Sequence, residues 1–110
     1  MTKYNSVTFR ILPYLYEDES YFDNGREYAW KAMKKSLTLF KNKYGVEWSY
    51  GSGDSYIMDM SINMKDTRKS LPVETIEAFK LLTRTFGRLY NEIYFPVGHY
   101  QWHKLKTFEK

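Results

Sequence analysis

Cysteine is absent from these 110 residues, which excludes disulfides, thiolate metal sites and cysteine nucleophiles together and suits a reducing compartment. Histidine occurs twice, proline three times and glycine six times. No Pro/Gly/Ser tract, repeat or low-complexity run divides the chain, so a single domain over residues 1–110 is expected. No apolar run approaches the ~20 residues that span a bilayer, and the opening MTKYNSVTFR lacks the apolar stretch of a secretory signal. The expectation is a cytoplasmic protein with no membrane partner. A phosphate-cradling glycine loop, a His-Glu-x-x-His pattern and a nucleophile or oxyanion motif are missing as well. The sequence therefore names no reaction, and a non-enzymatic role without a cofactor is expected.

What is present is apolar surface and positive charge. Hydrophobic residues make up 43% of the chain and aromatics 19%, enough to offset the ordering entropy of a folded core. The net charge of +4 favours acidic partners.

Periodicity then lays out the elements. In NSVTFRILPYLY, Val7, Phe9 and Ile11 alternate with Thr8, Arg10 and Leu12, which predicts a strand ending near Pro13. A helix follows: Trp30, Met33, Leu37, Phe40 and Tyr44 recur at spacings of three and four, Ser20 or Asn24 can cap its start, and Gly45 can end it. VEWSY and YIMDMSINM alternate and flank the turn residues GSGD, a hairpin pattern. In SLPVETIEAFKLLTRTFGRLYNEIYF, Val73, Ile76, Phe79, Leu82, Phe86, Leu89 and Ile93 predict one long second helix, ended by Pro96 and Gly98. By elimination GHYQWHKLK, Gly98 to Lys106, becomes the closing strand. The order β-α-β-β-α-β resembles the split βαβ, ferredoxin-like class: an α+β fold with a four-stranded antiparallel sheet and two helices on one face. The other sheet face is expected to be open and polar, carrying Thr8, Arg10, Glu47, Ser49, Asp59, Ser61 and Asn63, with Arg10 beside Asp59.

Functional candidates follow from these surfaces. His99 and His103 lie four apart, roughly 13 Å on a strand, too far to share one zinc. A metal-dependent nuclease or other hydrolase using Asp59 and these histidines, with Glu47 or Asp54 near, is the alternative reading. The sheet invites comparison with the RNA-recognition motif, but YIMDMSINM lacks that family's aromatic pattern and would turn Asp59, Ser61 and Asn63 outward. The helices offer more. Between Gly25 and Gly45 there are six cations and one acid, a net of +5 against +4 for the whole chain. Lys31, Lys34, Lys35 and Lys41 lie mostly opposite the apolar stripe, while Lys80, Arg84 and Arg88 form a second row at four-residue spacing. Side by side, the rows would make one positive surface for nucleic acid or an acidic protein surface. Tyr14, Tyr16, Tyr21, Phe22, Tyr94 and Tyr100 are candidates for an aromatic patch, and edge strands allow a homodimer. The general character resembles the accessory or inhibitor proteins that phages and mobile elements encode. The expected function is binding, on nucleic acid or on a nucleic-acid-processing protein.

Overall fold

Strand β1, Tyr4–Pro13, is the alternating segment, with Val7, Phe9 and Ile11 fully buried on one face. The computed structural model describes residues 3–14, 22–52, 57–66 and 68–98, with the backbone alone at 22–30 and Ser52. After β1 come helix α1, Phe22–Tyr44, strands β2, Glu47–Ser52, and β3, Met58–Asn63, helix α2, Val73–Phe86, and strand β4, Gly87–Pro96. The sheet order is β2-β3-β1-β4, and every neighbouring pair is antiparallel. The protein is thus an α+β fold built on a four-stranded antiparallel sheet and two helices.

Register carries the apolar alternation across the strands. Val7 pairs with Ile62, which pairs in turn with Trp48; Phe9 pairs with Met60, which pairs with Tyr50; and Ile11 pairs with Met58. Both helices cover this side: Phe79 of α2 stacks on Phe9 at 5.3 Å, and Phe40 of α1 meets Phe79 at 5.5 Å. Met33 and Leu37, fully buried, complete the stripe that the sequence marked on α1. Gly45 ends α1 as expected. Its φ of +69° is the left-handed conformation glycine adopts without a steric penalty, and its N–H donates to the Lys41 carbonyl at 2.7 Å.

The second helix is shorter than its periodicity predicts. It stops at Phe86, and the residues expected to continue it form β4, paired with β1 from Tyr4↔Pro96 to Pro13↔Gly87. Leu89 and Ile93 share a helix face by their spacing of four, but in β4 the register puts Leu89 opposite Ile11 on the core face and Ile93 opposite Thr8 on the polar face. Arg88, Leu89, Tyr90, Ile93, Tyr94 and Phe95 are bulky or β-forming, and a free edge of β1 supplied the backbone partners. β4 takes the fourth place in the sheet, which Gly98 to Lys106 was expected to fill; from His99 on, that segment lies outside the described residues. Pro72 is the N-cap of α2, with no side-chain cap bond.

Two register shifts shape the β1–β4 ladder, one between Tyr4 and Ser6 and one between Arg10 and Ile11. The first leaves Asn5 as an extra residue, fully buried, its Nδ2 donating to the carbonyls of Asp66 and Lys69 at 3.3 and 3.2 Å. This bulge ties the segment before α2 to the sheet. The second leaves Tyr90 extra on β4 and 61% exposed.

Candidate binding surface

The seven cations predicted to form one surface fall into separate environments. Lys41 Nζ lies 3.4 Å from Glu47 at β2, and Lys80 Nζ lies 3.0 Å from Glu92 on β4. Since β2 and β4 are opposite edges of the sheet, Lys41 and Lys80 are held apart instead of joining one surface. The Lys80 Nζ also lies over the Phe9 ring, 5.8 Å from its centroid, a cation–π contact. Arg88 lies on β4, not on α2, which breaks the second row after Arg84; both arginines are exposed. Lys31, Lys34 and Lys35 stay together. With Thr38 and Leu39 they line a surface hollow of 380 Å³ on α1.

Between the helices runs a second hollow, 330 Å³, lined by Ser36, Leu39, Phe40, Lys43 and Tyr44 of α1 and by Ala78 and Leu82 of α2. Leu39 belongs to both hollows and is 63% exposed. Sequence reasoning passed over it because it lies off the stripe Met33, Leu37, Phe40, Tyr44. That departure was the signal.

The polar sheet face is not open. Ser6, Thr8, Ser49, Ser61 and Asn63 are at most 3% exposed, so this face is closed along the centre of the sheet. Small hydroxyl side chains carry no hydropathy signal strong enough to tell a buried polar row from a wet one. Thr8 and Ser61 hydrogen-bond across the strands at 2.7 Å. Arg10 stands between Asp59 of β3 and Asn91 of β4. Its Nε is 3.2 Å from Asp59 Oδ1 and 3.4 Å from Oδ2, and the hydrogen bond goes to Oδ2.

Burial pushes the Asp59 carboxyl above its ordinary value, and the Arg10 charge and hydrogen bond only partly oppose this. A carboxyl raised in the folded state contributes stability that is complete below its unfolded pKa and is lost as pH rises through the folded one. Asp59→Asn is therefore expected to leave stability at neutral pH within about 1 kcal/mol, because Arg10 is 38% exposed and keeps water. The parent should gain on the variant as pH falls through the aspartate range. Urea midpoints of both proteins at several pH values measure this; a parent that gains on the variant as pH rises would contradict it.

On the opposite sheet side Glu92 is held below the usual carboxylate range, chiefly by the Tyr94 hydroxyl that donates to its Oε1 at 2.5 Å, and also by Lys80. Tyr94 is raised in turn, by burial and by Glu92. This group anchors α2 to β4. Of the aromatic candidates, Tyr94 stacks on Tyr4 at 4.8 Å and Tyr14 is exposed. Tyr16, Tyr21 and Tyr100, with His99 and His103, lie outside the described residues, as does the Phe22 side chain. Among the described residues no three His, Cys, Asp or Glu side chains gather in a metal-binding group, and no helix is long and apolar enough to cross a membrane.

The chain matches no protein-family model, no curated protein and no solved structure.

Proposed function

We propose that this chain is a non-catalytic binding protein, of accessory or inhibitor type, that docks through the outer face of α1 on nucleic acid or on an acidic surface of a nucleic-acid-processing protein. The observation that supports it is the composition and placement of one helix face. From Lys31 to Tyr44 the chain carries five lysines and no acid, and Lys31, Lys34 and Lys35 converge on a single hollow. Such a face attracts polyanions through counterion release and steering. The same proposal places the fold in the ferredoxin-like class, with helices after β1 and β3. That class hosts many activities, so the fold by itself does not specify one.

The test is binding to labelled single- and double-stranded DNA and RNA, and to polyglutamate, across a salt series. The combined variant Lys31→Glu, Lys34→Glu, Lys35→Glu is measured beside the parent. Binding by the parent should fall steeply with salt. If the three lysines each meet a phosphate, their loss lowers the salt slope on duplex DNA by roughly 3. A folded variant that keeps full affinity, or a parent that binds none of these polyanions at low salt, would overturn the reading.

A further inference from the structure

An exposed leucine in the middle of a lysine face adds nothing to phosphate recognition, which relies on charge and hydrogen-bond donors. Leu39 is such a residue. It stands as a ridge between the hollow of Lys31, Lys34 and Lys35 and the interhelical groove, whose other walls are Phe40, Ala78 and Leu82. Lys43 lines the same groove. Leu81, next to Leu82 in the sequence, is 67% exposed. Aliphatic side chains flanked by charge of one sign are the anchor and rim of a helix-binding groove.

Resting on the binding reading above, we infer that the partner is a protein and that it lays an acidic amphipathic helix in the groove between α1 and α2. Its apolar residues, at i, i+3 or i+4, and i+7, pack against Leu39 and Leu82. Its carboxylates face Lys35, Lys43 and the lysine hollow. Charge complementarity selects this occupant. The α1 wall from Lys31 to Tyr44 carries no acid, whereas α2 adds both Glu77 and Arg84, so α1 sets the sign. A groove of 330 Å³ open to solvent suits a row of side chains from a docked helix better than an enclosed small molecule.

The probe is a labelled Glu- and Leu-rich peptide of about 18 residues, long enough to hold a helix, beside a scrambled peptide of the same composition and labelled duplex DNA. The ordered peptide should bind at least roughly tenfold more tightly than the scrambled one, and Leu39→Ser should weaken it roughly tenfold, the effect of one hot-spot anchor. Amide NMR shifts on adding the peptide should centre on Leu39 and Leu82. No peptide binding, equal binding of both peptides, or full affinity in Leu39→Ser would overturn the inference. The outcomes separate the two proposals: if the triple Lys→Glu variant loses the peptide while Leu39→Ser retains it, only the groove inference fails. If the triple variant itself retains the peptide, the charge reading fails.

Discussion

Phe9→Ala should cost about 3–5 kcal/mol, the range for emptying a fully buried aromatic site. Phe9 is fully buried and sits where β1, α2 and β4 meet: it stacks on Phe79 at 5.3 Å and meets the Tyr94 ring edge-on at 6.1 Å. Removing the ring leaves Phe79 without its stacking partner and takes away the ring face beneath the Lys80 ammonium. Against a total stability of about 5–15 kcal/mol for a domain of this kind, the loss is a large share of the whole. Urea unfolding followed by tryptophan fluorescence measures it, and a loss under about 1 kcal/mol would mean that this junction is not the centre of the core. The contrast with Leu39 matters for function. Leu39→Ser, on an exposed helix face, should stay near ±0.5 kcal/mol in stability, so an effect on binding can be read without a folding artefact.

Gly87→Val is expected to destabilise at the upper end of the ~1–3 kcal/mol typical of overpacking, or beyond it. The backbone angles are not the reason. Gly87 is extended, with φ −176° and ψ 178°, a conformation open to other residues. The reason is space: a Cβ there would lie 2.4 Å from the Leu12 carbonyl oxygen and 2.8 Å from the Leu12 carbonyl carbon and Pro13 Cα. All three are backbone atoms, which cannot swing aside as a side-chain tip can. The α2–β4 junction and the end of the β1–β4 ladder would have to move together. Gly87→Ala brings the same Cβ contact without the added methyls, so it should already show most of the effect. Two variants as stable as the parent would show that the close approach is not required.

How much of this was legible in the sequence differs from element to element. The apolar faces of β1, β2 and β3, the stripe on α1 and the Gly45 stop were all readable, because each repeats over one local period with no competing one. The Arg10–Asp59 pair followed from the same register. The lysines of α1 were readable as a cluster, but their partners were not. Glu47 is only six residues from Lys41, yet it reaches the lysine because β2 starts beside the end of α1. Glu92 reaches Lys80 only because β4 runs back under α2.

By itself, then, the sequence determined the α+β class, the placement of three strands and a first helix, and a cationic helix face, since local spacing and composition specify these. Tertiary structure alone decided where the second helix ends and which segment closes the sheet. Residues 87–96 satisfy helical and extended patterns alike, and the choice fell to β1, whose unpaired backbone edge supplied hydrogen-bond partners along their whole length. Tertiary packing likewise closed the Ser and Thr face and neutralised Lys41 and Lys80. Burial and ion pairing depend on what the rest of the chain brings within a few ångströms, and a residue's own neighbours in sequence do not carry that information.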